Sequence, residues 1–111
     1  NSDYSDNNGL RKLIQEFKPT ALVCANDIIA LNAYKVIKAL GLNIPDDISV
    51  VGFDNIQESS NVKPGLTSID IPLVQIGEET ANYLINVIEN HHASLSEIVI
   101  RCDVVKRDST R

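Results

Sequence analysis

Apolar residues first recur at Leu10, Leu13, Ile14 and Phe17, the i, i+3, i+4, i+7 spacing of one helical stripe. Ser5 or Asp6 is available as its cap, and Pro19 closes it by pushing the preceding residue out of helical space. The unbroken apolar run from Ala21 to Ala25 predicts a strand buried on both faces. Asn26-Asp27 ends that strand and opens a second helix, with Ile29, Ala33, Val36, Ile37 and Leu40 facing inward. Gly41 stands where a helix stops. Leu31 and Tyr34 fall off this stripe and point away from it.

Pro45-Asp46-Asp47 is a turn signal, followed by a β-branched strand from Ile48 to Phe53. The polar stretch from Asp54 to Gly65 predicts a loop or a short irregular helix. Thr67 to Ile71 predicts a short strand. Pro72 suits a first helical turn, and that helix should run to about Asn90 on Ile76, Leu84, Ile85 and Ile88. Ile98, Ile100, Cys102 and Val104 alternate, which predicts a half-exposed edge strand over 98–105. Helices alternating with strands at this spacing predict an α/β fold: a Rossmann-like open parallel sheet flanked by helices.

Charge and composition narrow the function. Fifteen Asp plus Glu against ten Lys plus Arg leave a net charge of −5, without the basic footprint that grips phosphate backbones. The chain itself is therefore not expected to bind nucleic acid. No apolar stretch approaches the roughly 20 residues of a membrane helix. Asn1 to Asn8 carry neither a basic nor an apolar segment, so no signal peptide is visible, and the abrupt opening reads as a piece of something longer. Cys24 and Cys102 sit in apolar runs and read as buried, reduced thiols, which makes the cytoplasm the default compartment. Glycine-rich phosphate loops are missing, and adjacent His91-His92 reads as a solvated helix end rather than a metal site. With no nucleophile–base set to assemble, neither catalysis nor a cofactor or metal is expected.

Ligands of open α/β sheets bind beyond the carboxyl ends of the strands. There the sequence sets Asn26-Asp27 after the first strand and Asp54-Asn55 after the second. Their amides and carboxylates suit a polyhydroxylated or amine-bearing small molecule. Asp27 reads most simply as the N-cap of the second helix. For Asp54, spacing alone leaves turn former and ligand contact open.

The series Pro19-Thr20-Ala21 through Ala25-Asn26-Asp27, Gly41-Leu42, Ile44 through Gly52-Phe53-Asp54-Asn55, and Leu66-Thr67-Ser68-Ile69 is collinear with one family. The chain resembles the lac-repressor (LacI/GalR) family of bacterial transcriptional regulators. Such regulators join an N-terminal helix-turn-helix domain to a two-lobed effector-binding core like that of periplasmic sugar-binding proteins. The resemblance implies that 1–71 is the second lobe of that core. It implies that 72–96 is a helix packing on the first lobe, and that 97–111 is a terminal strand returning to the second. It further implies effector contacts at Tyr4, Asn26 and Asp54, and a homodimer face at Leu31, Tyr34 and Val62. The implied partners are a sugar or similar effector, a second copy, and operator DNA held through a domain outside this sequence. Ile71 departs from relatives that carry a polar Gln there, so recognition of the same sugar is not implied. A transporter's solute-binding receptor shares the fold and remains the alternative. A phosphoacceptor enzyme lacks its lysine after a later strand.

Overall fold

The computed structural model describes residues 7–90 and 97–111. In chain order its elements are α1 (Asn7–Phe17), β1 (Ala21–Val23), α2 (Asp27–Ala39), β2 (Ser49–Phe53), α3 (Gln57–Asn61), β3 (Thr67–Asp70), α4 (Leu73–Asn90) and β4 (Asp103–Val105). The chain divides into two units, Asn1–Asp70 with Asp103–Arg111, and Ile71–Cys102.

The first unit holds a four-stranded sheet in the order β1-β2-β3-β4. The first three strands are parallel, with Val51 opposite Val23 on one side and Thr67 on the other. Their carboxyl ends therefore share one rim. β4 runs antiparallel to β3 and begins at that same rim, with Asp103 opposite Asp70.

Periodicity of α2 explains the core. Ala30, Ala33, Val36 and Ile37 are buried on one face and cluster with Ile14, Ile48, Val50 and Leu66. At the helix's end Gly41 takes φ +73, a left-handed conformation that costs glycine nothing. That turn lets Leu42 N donate to Ile37 O at 3.1 Å and Gly41 N to Lys38 O at 3.0 Å, which satisfies carbonyls the helix would orphan. After β4 the chain ties back through buried Ser109. Its Oγ donates to Val50 O at 2.6 Å and accepts from Thr67 N at 2.8 Å.

Four expectations need correction. β1 is not buried on both faces: it is the edge of the sheet with one neighbour, and Val23 is 84% exposed. The stripe of α1 buries only Ile14 fully, while Phe17 is 71% exposed at the helix's last residue. The terminal strand is three residues rather than eight, because β3 ends opposite Asp103 and the chain turns at Ile71-Pro72. Cys102, just before it, is exposed rather than buried, whereas Cys24 is half-buried; both are free thiols.

In the second unit, α4 opens at Leu73, with the Pro72 carbonyl accepting from Ile76 N at 3.0 Å. None of its residues is buried, and Leu84, Ile85 and Ile88 are exposed. No helix among the described residues is long and apolar enough to cross a membrane.

Candidate functional site

Asn26, rather than Asp27, caps α2. Its backbone is extended (φ −155, ψ 172), and its Oδ1 accepts from Ile29 N at 2.9 Å. An Asn-Asp pair can send only one side chain back onto the first turn, and here Asn26 takes that place. Asp27 is thereby released to turn inward.

The Asp27 side chain is completely buried. Its Oδ2 accepts from Ile56 N at 2.9 Å and from Ser59 Oγ at 2.5 Å, and its Oδ1 accepts from Ser68 Oγ at 2.6 Å. All three donors are neutral. The carboxylate sits in the first turn of α2, where the helix dipole favours negative charge. Its place is kept open by Gly52, whose missing Cβ would stand 2.0 Å from Oδ1.

The turn after β2 is unusual backbone. Asp54 has φ 99 and Asn55 φ 49, both in the left-handed region that side chains rarely adopt. Three successive amides are held: Asp54 N by Ile69 O at 3.0 Å, Asn55 N by Ser68 Oγ at 3.1 Å, and Ile56 N by Asp27. The Asn55 side chain is fixed at both ends. Its Nδ2 donates to Asp70 Oδ1 at 3.0 Å, and its Oδ1 accepts from Arg107 Nη2 at 2.7 Å. Arg107 also donates from Nη1 to Leu66 O at 2.6 Å, along the space left by Gly65. Asp54 itself is exposed, and its carboxylate has no hydrogen-bond partner among the described residues.

The fold therefore brings Asn26 and Asp54 to one rim, at the ends of adjacent strands. Tyr4 lies outside the described residues, as do His91 and His92. Leu31, Tyr34 and Val62 are half-buried against the margin of the core rather than pointing clear of it. Tyr34 Oη donates to Pro64 O at 3.1 Å, which joins α2 to the segment after Val62. Burial pushes the Tyr34 phenol up, with Asp108 and Cys24 adding to the rise and the neighbouring Ser109 hydroxyl opposing it. Burial, then the nearby Asp27 charge, pushes the Cys24 thiol up as well.

Asn55 was placed at this rim by the sequence, whereas the parts played by Gly52, Ser68, Asp70 and Arg107 escaped it. The one signal was Ser68, a hydroxyl inside a strand flanked by β-branched residues. The rim offers acceptors: Asp54, Asp70 and, opposite it, Asp103, while the Arg107 guanidinium is committed to Asn55 and Leu66. Such a surface takes up hydroxyl or amine donors. Among the described residues no group of His, Cys, Asp and Glu could hold a metal ion. A cleft of 410 Å³ opens at the other end of the sheet, lined by Ile14, Lys18, Thr20, Leu40 and Ile48, and shares no residue with this rim.

Residues 1–110 match the periplasmic binding protein-like domain family. The HTH-type transcriptional repressor PurR of Aliivibrio salmonicida is 39% identical over 106 residues, which are 95% of this chain and 32% of the relative. A solved complex of the transcriptional regulator CelR with cellobiose superposes with a TM-score of 0.86 at 26% identity, over 98% of this chain and 34% of the other. The lac repressor dimer bound to operator and the anti-inducer ONPF gives 0.83 at 31% identity, over 96% and 37%. These relatives are transcriptional regulators, not enzymes, and the chain spans about a third of their length. The family match over nearly the whole chain and the likeness to these regulators lead to one conclusion: the chain belongs to the periplasmic binding protein-like domain family, in the form that LacI-type regulators carry.

Proposed function

We propose that this chain is the effector-sensing and dimerising region of a LacI-type transcriptional regulator that works in the cytoplasm. The Asp54 carboxylate accepts hydrogen bonds from the effector, a sugar or another donor-rich small molecule. The Asn26 amide, whose oxygen is committed to the cap, donates from its nitrogen. Tyr4 supplies an aromatic face. The single supporting observation is the contrast at Asp54: a strained turn with every amide held, and the one carboxylate it presents left without a partner among the described residues. Strain persists where the surroundings over-determine it, and such sites are commonly functional.

Dimerisation would use Leu31, Tyr34 and Val62 about a two-fold axis, and operator DNA would be held by a domain outside this sequence. The α4 residues Leu84, Ile85 and Ile88 would be covered by the first lobe of the two-lobed core. CelR bound to cellobiose and the lac repressor bound to ONPF support a small-molecule effector. A thermal-shift screen of sugars and nucleosides on the full-length regulator identifies that ligand, since binding at 100 times Kd adds about 2.7 kcal/mol. Asp54→Ala should then weaken it by about 2–5 kcal/mol while operator binding survives. Unchanged effector affinity in that variant removes Asp54 from the site.

A further inference from the structure

We propose that Asp27, acting through Ser68, is a positioning residue that holds the Asp54–Asn55 turn in the conformation presenting the Asp54 carboxylate. What the turn is for rests on the reading of Asp54 above; that Asp27 holds it does not.

The argument starts from proton counting. A serine hydroxyl has one proton to donate and lone pairs to accept with. A carboxylate only accepts, so Ser68 must spend its proton on Asp27 Oδ1, at 2.6 Å. Its lone pairs are then left for a donor, and Asn55 N takes them at 3.1 Å. The other oxygen of Asp27 takes the next amide, Ile56 N, at 2.9 Å. Two successive amides of the turn are thus fixed by one buried carboxylate, directly and through one hydroxyl. Asp54 N is the amide held by a backbone carbonyl instead.

A capping role does not account for this arrangement, because Asn26 already caps α2. Nor does an ion pair, because every donor to Asp27 is neutral. Its three partners instead join α2 to the turn, to α3 and to β3. Left-handed φ at two consecutive non-glycine residues needs such anchoring. Gly52 fits the same purpose, since any side chain there would displace Oδ1.

The test compares Ser68→Ala, Asp27→Asn and Ser59→Ala in the full chain by NMR and amide hydrogen exchange. Ser68→Ala removes the acceptor for Asn55 N. Asp27→Asn offers Ser68 a donor or robs Ile56 N of an acceptor, whichever way the amide lies. Ser59→Ala breaks an Asp27 contact that does not reach the turn amides. Exchange should speed up by about fivefold to tenfold, the loss of one hydrogen bond, at Asn55 in Ser68→Ala and at Asn55 or Ile56 in Asp27→Asn. The backbone couplings that report positive φ at Asp54 and Asn55 should average toward ordinary values. Ser59→Ala should leave both readouts unchanged, and β1 and β2 amides should stay protected in all three. Unchanged couplings and exchange in Ser68→Ala overturn the proposal, even if Asp27→Asn fails to fold. So does loss of protection spread evenly across β2 and β3. If the turn loosens as expected but Asp54→Ala keeps full effector affinity, the positioning stands and the effector reading falls.

Discussion

A Cβ on residue 52 would stand 2.0 Å from Asp27 Oδ1, so the glycine of β2 and the buried carboxylate of α2 occupy one space between them. No side-chain rotation relieves that overlap, because Asp27 is held by three donors. Gly52→Ala should cost about 1–3 kcal/mol, the range of an overpacked interior. The cost should shrink by at least about 1 kcal/mol in an Asp27→Ala background, since neighbours in contact are not additive. Urea unfolding of the four proteins measures this, and strict additivity counts against the shared space.

Asp54 at φ 99 carries backbone strain that glycine would not. Asp54→Gly should therefore stabilise the chain by about 1 kcal/mol, and Asp54→Ala should not. Denaturation midpoints separate the two. A gain from alanine equal to that from glycine would assign the effect to lost charge instead of relieved strain.

Alkaline pH should weaken the fold through Cys24 and Tyr34. Both folded-state values lie above the ordinary 9.0 and 10.0, so the folded chain holds these protons more tightly than the unfolded chain. Their contribution is complete below about pH 9 and is lost as pH rises through the folded values. Cys24→Ala should flatten the first part of the decline and Tyr34→Phe the second. Urea midpoints from about pH 8 to 11 report it. A decline with unaltered slope in both variants would exclude these groups as its source.

Leu31 and Tyr34 lie half-buried at the core margin, with Val62 on the same cluster. An isologous dimer through this face would set Leu31 near its own symmetry mate. Leu31→Lys should then bring two ammonium groups together and shift sedimentation toward monomer. A dimer unaffected by the substitution would place the contact elsewhere.

Element order was readable because α2 and β2 carry their own punctuation: Asn26, Gly41 and the Pro45-Asp46-Asp47 turn stand where backbone geometry demands them. Asp54 at a strand end was readable for the same reason. Neighbours were not. The apolar run of β1 gives no sign that Val23 faces outward at a sheet edge, and alternation over 98–105 does not reveal that β3 stops at Asp70. The exchange of roles between Asn26 and Asp27 depends on Ser59 and Ser68, 32 and 41 residues further on. Local pattern carries no record of such partners.

Asp70 and Asp103 face each other across the last rung between β3 and β4, and everything from Ile71 to Cys102 departs and returns at that rung. In chain-path language the second unit is the loop of a β-hairpin. Closing a longer hairpin loop costs little more than a short one, because the entropy grows only with the logarithm of length. The sheet is thus a host into which a substantial element can be inserted, lengthened or exchanged without rethreading any strand. Excising it and joining the two aspartates through a two-residue Asn-Gly turn would, on this topology, leave an ordinary antiparallel edge. The facing carboxylates would remain the weak point of that edge, since like charges directly opposite each other repel.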